Sequence, residues 1–86
     1  MTDVLNYIGG ALKPAAGGTW LDNHEPATGR VYGRIADSDA RDVDAAVEAA
    51  ELAQPRWAAL GREGRAKAML RVADLVERDI DLFAAA

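Results

Sequence analysis

Glu25-Pro26-Ala27-Thr28-Gly29 is the stretch that decides how the first part of the chain folds. Proline suits the second position of a turn because its ring presets φ, and glycine suits the end, where a positive φ is often needed. Residues 19–23 before the stretch and residues 31–35 after it both read as extended segments. We therefore expect the chain to reverse here into an antiparallel ribbon.

A second ribbon is expected at the start of the chain. Residues 4–8 form a short extended run, and Gly9-Gly10 supplies the positive φ that a two-residue turn requires, so that residues 11–13 return as the second arm. Pro14 ends that arm, and residues 14–18 read as a loop. Isolated ribbons are marginal in water, so both need a surface to lie on.

Helical periodicity begins after residue 36. The carboxylate of Asp39 is placed to accept from free N–H groups of a first turn, and Asp42 stands at the reciprocal position of a capping box. We predict a helix that starts near Ala40 and ends or kinks near Gln54, because Pro55 restricts the residue before it. Small apolar residues recur on one side of this helix, at Val43, Ala46, Val47 and Ala50.

A second helix is predicted from about residue 62 to residue 78, and Asp79 is expected to cap a short third helix that turns Ile80, Phe83 and Ala84 inward. The predicted fold class is α+β, with two short β-hairpins in residues 1–36 and two to three α-helices in residues 37–86. The chain opens on Met1, which suggests a natural start. It closes on alanines, the strongest helix formers, without a stop signal, so we expect a truncation there.

Composition limits the chain to one domain or part of one. It has 86 residues, of which 50% are hydrophobic and 28% charged, an ordinary globular balance. A chain of this length is marginally stable alone, and its apolar residues include only one Phe, two Trp and two Tyr. The helical faces therefore fit a larger partner body better than one another, which favours a fragment.

Charge and apolar patterning exclude several function classes. The net charge of −4 argues against non-specific nucleic-acid binding. A local basic cluster in the second helix is interleaved with acidic residues and reads as a solvated face; it comprises Arg62, Arg65, Lys67 and Arg71. The sequence has no leader pattern and no apolar run of membrane-spanning length, so we expect a cytoplasmic protein without a membrane partner.

No residue carries a convincing catalytic, cofactor-binding or metal-binding signature. The chain has no cysteine, and its one histidine, His24, is expected in a polar loop without further ligands nearby. The aspartates at 37, 39, 42 and 44 lack the glycine and glutamate of a calcium loop. The glycine pairs, and residues 61–64, read as turns and a helix junction rather than phosphate loops. Trp20 and Trp57 are expected to anchor the chain to a larger body.

Several segments together resemble the aldehyde dehydrogenase superfamily. Residues 6–10 are similar to its Asn-Tyr/Phe-Ile-x-Gly opening, and residues 26–31 to its Pro-Ala-Thr-Gly-x-Val turn. The helices resemble the family at residues 42–50 and 65–77, and residues 55–57 resemble its Pro-x-Trp step. Glu25 and Gln54 depart from the Asn and Phe that are usual there, which affects packing only. The chain is identified as similar to the amino-terminal segment of a family member.

The resemblance implies an NAD(P)-dependent oxidation of an aldehyde to a carboxylic acid, through a thiolate nucleophile, hydride transfer and a carboxylate base. None of these parts can be assigned to this chain, which also lacks a Gly-x-Gly-x-x-Gly fingerprint. Residues 1–86 would form an incomplete cofactor-binding domain, binding no cofactor alone, with the rest of the subunit as partner and a homo-oligomer as the complete assembly. Residues 21–26 with 31–35 are most similar to the branch that acts on muconic-type semialdehydes.

A free-standing α+β interaction module without enzymatic activity is the alternative. The two hypotheses differ in the apolar area that they leave exposed. A self-sufficient module buries its large apolar side chains among its own elements, whereas a fragment leaves a contiguous apolar face. The deciding side chains are Trp20, Trp57, Leu70, Leu75, Val76 and Phe83.

Overall fold

A computed structural model describes residues 2–85 of the chain. In this range five short strands form two small sheets and are followed by three helices, so the predicted α+β class is confirmed. The strands are β1 (Thr2–Val4), β2 (Asn6–Ile8), β3 (Ala11–Lys13), β4 (Trp20–His24) and β5 (Val31–Ala36), and the helices are α1 (Ala40–Ala59), α2 (Gly61–Arg78) and α3 (Ile80–Ala85). Two compact units divide inside α1, one ending at Leu52 and the other beginning at Ala53.

The predicted turn at residues 25–29 joins β4 to β5. The N–H groups of Thr28 and Gly29 both donate to the carbonyl of Glu25, at 3.3 and 2.8 Å. The N–H of Glu25 in turn donates to the carbonyl of Arg30, and Gly29 has a φ of 72°. The strands pair antiparallel, as expected, with an irregularity in register between Asn23 and His24.

The first predicted ribbon is confirmed only in part. Strands β2 and β3 pair antiparallel across Gly9-Gly10, whose φ values of 62° and 84° are those of a two-residue hairpin turn. The segment before them behaves differently, because β1 pairs parallel with β5 and completes a three-stranded sheet of order β1-β5-β4. Both predicted antiparallel ribbons are thus present, and the parallel pairing of β1 with β5 is an addition that the sequence did not predict.

Gly33 explains why β1 can take this position. Gly33 is opposite Thr2 in the register, and a Cβ atom at Gly33 would overlap the carbonyl oxygen of Thr2. The absence of a side chain thus allows the first strand to approach the middle of the sheet. A local sequence pattern does not reveal this partner, because Asp3 and Arg34, which pair in the same ladder, are 31 residues apart.

Helix α1 runs through Pro55 to Ala59, so of the two predicted outcomes near Gln54, an end or a kink, the end is wrong. Proline forfeits its own N–H and crowds the preceding turn, but the residues after it keep their donors and can continue the helical ladder. The helix closes four residues later, where the N–H of Leu60 donates to the carbonyl of Trp57 at 3.2 Å. Helix α2 follows from Gly61, close to its predicted range.

The third helix forms where it was predicted, but its apolar side chains do not point inward. Ile80 and Phe83 are each more than half exposed, and Ala84 is exposed, so that part of the prediction is wrong. The carboxylate of Asp79 accepts two hydrogen bonds from the Arg78 guanidinium, at 3.1 and 2.9 Å. Asp79 accepts the N–H of Phe83 through its backbone carbonyl, at 3.1 Å.

Between Thr2 and Ala85, every helix is either too short or too polar to cross a lipid bilayer.

Candidate interaction surface

The start of α1 is built by two aspartates. Asp39 Oδ1 accepts the N–H of Arg41 at 2.9 Å, and Asp42 Oδ2 accepts the N–H of Asp39 at 3.0 Å, so the predicted capping box is confirmed. The Arg41 guanidinium also hydrogen-bonds the Asp39 carboxylate, which holds the pKa of Asp39 below its usual value. The N–H groups of Arg41, Asp42 and Val43 in the first turn therefore all have acceptors in Asp39.

Asp42 also makes a contact that the sequence did not predict. Its second oxygen, Oδ1, accepts the N–H of Ala16 at 2.9 Å, which ties the loop after β3 to the first turn of α1. Asp42 is only 7% exposed and Ala15 only 4%. Within residues 2–85, Asp42 is the one charged side chain that is buried, and Ala15 is the one buried apolar side chain. A capping carboxylate has a spare oxygen, but nothing local identifies which loop supplies its donor.

An open pocket of about 210 Å³ lies between β2 and the start of α1. Asn6 and Ser38 stand in its wall and hydrogen-bond each other reciprocally, at 2.8 and 3.1 Å. The remaining lining residues are Tyr7, Ile8, Asp42, Val43 and Ala46. The volume is below the roughly 300 Å³ at which ligand pockets usually begin, and much of the wall is apolar, so the pocket suits one inserted side chain better than a cofactor.

The three-stranded sheet has one charged face and one apolar face. On the charged face Arg34 donates twice to the carboxylate of Asp3, at 2.8 and 3.0 Å, and its guanidinium carbon lies 4.0 Å from the centroid of the Trp20 ring. The hydrogen bonds from Arg34 hold the pKa of Asp3 below its usual value. The charges of Asp3 and Arg34 are thus paired within the sheet itself.

The opposite face carries a row of aliphatic side chains to which each strand contributes. Val4 and Leu21 are both register partners of Ile35, so the three form a continuous row across the sheet. Val4 and Leu21 are exposed, and Ile35 is half-buried. A sheet is stable when its apolar face is covered by another layer, and the unit that ends at Leu52 leaves this row open.

Helix α2 carries an apolar surface around more than half of its circumference. At about 100° per residue, its apolar side chains from Ala66 onward span an arc of roughly 220°, far wider than the stripe of an ordinary surface helix. Leu70 is 67% exposed and Val72 is 51% exposed. The arc comprises Ala66, Ala68, Met69, Leu70, Val72, Ala73, Leu75 and Val76.

None of the six side chains that distinguish the two sequence hypotheses is buried. Trp57, Leu70, Val76 and Phe83 are exposed, and Trp20 and Leu75 are half-buried. A self-sufficient module was expected to bury them. Their exposure favours the fragment hypothesis, in which another protein body covers these side chains.

The polar candidates do not assemble into a site. His24 is the last residue of β4, opposite Val31, and not part of the loop in which it was expected. In the described part of the chain no three His, Asp or Glu side chains are grouped to hold a metal ion. The four basic residues at 62, 65, 67 and 71 all lie in α2, where Arg65 Nη1 donates to the carbonyl of Ala58 at 3.1 Å.

Comparison with known proteins shows the family to which the chain belongs. The pattern of the aldehyde dehydrogenase family matches residues 12–86, which include the last two residues of β3, strands β4 and β5, and all three helices. The chain belongs to the aldehyde dehydrogenase family. The resemblance based on the turn at residues 26–31 and on the two long helices is thereby confirmed. Those motifs lie in the β4–β5 turn, in α1 and in α2, so they are framework elements of this aldehyde dehydrogenase sequence.

The relatives include both acetaldehyde and semialdehyde dehydrogenases. The chain is 42% identical over 81 residues to acetaldehyde dehydrogenase 2 of Cupriavidus necator, covering 94% of this chain and 16% of the relative. It is 41% identical over 78 residues to 2-aminomuconic semialdehyde dehydrogenase of Danio rerio, covering 91% and 16%. For aldehyde dehydrogenase B of Escherichia coli the identity is 35% over 81 residues, with 94% and 16% covered. The chain thus spans about one-sixth of the length of these relatives.

Proposed function

We propose that this chain forms the amino-terminal part of the cofactor-binding domain in an NAD(P)-dependent aldehyde dehydrogenase subunit, and that its role there is structural. The observation that carries the proposal is the set of open apolar surfaces, namely the sheet row at Val4, Ile35 and Leu21 and the wide arc of α2. The one-sixth coverage of the relatives supports it, because the remaining length supplies a body large enough to cover these surfaces.

The complete subunit would oxidise an aldehyde or semialdehyde to a carboxylic acid, while NAD or NADP takes the hydride and water supplies the second oxygen. A thiolate nucleophile would have to come from the rest of the subunit, because this chain contains no cysteine. On the family resemblance, the complete protein would be a cytoplasmic homo-oligomer with a small aldehyde as substrate and no nucleic-acid or membrane partner.

The residues of this chain do not fit a dinucleotide. Its pocket of about 210 Å³ is too small for NAD, and the carboxylate of Asp42 in the lining would repel a phosphate. No glycine-rich turn of the dinucleotide type follows a strand. We therefore assign the cofactor to the rest of the subunit and expect the 86-residue chain alone to be inactive.

A chimera tests the proposal. The 81-residue aligned segment of the Cupriavidus necator relative is replaced by the corresponding part of this chain, and acetaldehyde oxidation is followed by the absorbance of the reduced nicotinamide. The unaltered relative and a version with the segment deleted serve as controls. We expect the chimera to be soluble and active and the deletion to be inactive.

Two results would contradict the proposal. An inactive or insoluble chimera would show that this segment does not fit the rest of an aldehyde dehydrogenase subunit. An isolated chain that is monomeric and unfolds cooperatively with its apolar side chains protected would instead favour the free-standing module.

A further inference from the structure

Helix α2 presents exposed apolar side chains on two opposite sides. Leu70 and Val72 are two residues apart, so they point about 160° away from each other around the helix axis. Both are more than half exposed. Arg71 lies between them in sequence and projects from a third side of the helix. Lys67, Asp74 and Arg78 project from the same side. One flat partner surface can cover either Leu70 or Val72, but not both.

We infer that α2 enters a two-sided groove in the rest of the aldehyde dehydrogenase subunit, with Leu70 against one wall, Val72 against the other and Arg71 at the open side. The inference rests on the proposed function, since it takes the rest of the subunit as the occupant. The family membership and the one-sixth coverage of the relatives favour that occupant over a second copy of this chain.

The charges on α2 agree with a groove that is open on one side. Arg62, Arg65 and Glu77 fall within the angular range of the apolar arc, near the two ends of the helix, whereas Glu63, Lys67, Arg71, Asp74 and Arg78 share the side outside it. Burying any of them without a partner would be costly, so this side stays in water. The apolar arc spans roughly 220°. A groove with two walls and a floor would cover an arc of this width, whereas a flat surface would not.

The test places a carboxylate on each side of α2 in the chimera described above. Leu70→Glu and Val72→Glu put a charge against the two proposed walls, and Arg71→Glu is the matched control with the same new residue at the intervening position. We expect each of the first two variants to lower the yield of soluble, active chimera at least about tenfold, because the carboxylate would be buried unpaired. Arg71→Glu is expected to stay within about twofold of the parent, as a substitution on the solvated side does.

A second measurement separates failure to dock from failure to fold. In the isolated 86-residue chain the same three substitutions are expected to leave the circular dichroism of the helices unchanged, because Leu70 and Val72 are already exposed there. Loss of helix in the isolated chain would show that the chain itself covers these side chains and would overturn the inference.

The remaining outcomes are equally decisive. Full activity of either the Leu70 or the Val72 variant would mean that α2 is covered from one side only. Equal loss in the Arg71 variant would mean that no open side exists. An inactive parent chimera would refute the proposed function, and the inference with it, whereas an active parent with a tolerant Leu70 or Val72 would refute the inference alone.

Discussion

The buried carboxylate of Asp42 accepts a hydrogen bond from the backbone N–H of Ala16, 26 residues earlier in the chain, at 2.9 Å. The same carboxylate accepts the N–H of Asp39 and so completes the cap of α1. One side chain therefore satisfies two backbone donors and joins a loop of the ribbon region to a helix end.

Removal of this carboxylate is expected to destabilise the chain. Asp42→Ala leaves two backbone N–H groups without their acceptor in a largely buried position, so the free energy of unfolding should fall by about 1–3 kcal/mol. Chemical denaturation followed by circular dichroism measures the change. Asp44→Ala, at an exposed position on the same helix, is the control and should change stability by less than about 0.5 kcal/mol. Equal effects of the two substitutions would contradict the role of Asp42.

Gly33 is expected to tolerate no side chain. Gly33→Ala would place a Cβ against the backbone of Thr2, and relief of this overlap requires β1 to move away from β5. We expect a loss of about 1–3 kcal/mol and faster amide hydrogen exchange at the β1–β5 ladder. Gly17→Ala is the control, because a Cβ there would meet only the ends of two side chains, Arg41 Nη2 at 3.1 Å and Asp39 Oδ2 at 3.8 Å, and no backbone atom. Unchanged exchange in the Gly33 variant would show that β1 does not depend on this approach.

The ion pair between Asp3 and Arg34 predicts a dependence of stability on pH. Because Arg34 lowers the pKa of Asp3 in the folded chain, the pair contributes stability above the unfolded-state pKa of about 4, and this contribution is lost as the pH falls through the lower folded-state pKa. The difference in unfolding free energy between the parent and Asp3→Asn should therefore be present at pH 7, shrink below about pH 4 and weaken with salt.

Asp22 provides the control for the pH prediction. It also lies opposite Arg34, on the other side of β5, but the guanidinium hydrogen bonds go to Asp3. Denaturation of Asp22→Asn over the same pH series should show a smaller difference from the parent. A pH-independent difference for Asp3→Asn would exclude the ion pair as its source.

Pro26 and Pro55 are expected to affect stability in opposite directions. Pro55 lies inside α1, where it removes a helical donor and crowds the preceding turn, so Pro55→Ala should raise stability, by up to about 3 kcal/mol. Pro26 lies in the turn between β4 and β5, where a preset φ is useful, so Pro26→Ala should lower stability by about 0.4–1 kcal/mol. Thermal unfolding of both variants measures the contrast. A destabilising Pro55→Ala would indicate that the proline ring makes a packing contribution greater than its helical cost.

The sequence predicted only in part which apolar side chains are exposed. The need for a partner followed from the scarcity of large apolar residues and from the alanine-rich helices, and it agrees with the exposure of Leu70 and Phe83. The inward packing expected for Ile80 and Phe83 did not follow, because the pattern of a helix shows which face is apolar but not what lies opposite it. The assignment of no site residues in this chain stays a prediction.

The sequence by itself determined the features that depend on interactions between near neighbours: the turn at Glu25 to Gly29, the glycine hairpin, the cap at Asp39 and the extent of α2. It also carried the family, because those local motifs keep their order and spacing. Only the tertiary structure decided that β1 joins β5 in parallel, that Asp42 binds Ala16 and that Arg34 lies between Asp3 and Trp20. These contacts join residues far apart in the chain, and their partners are selected by which surfaces meet after folding, which no local propensity encodes.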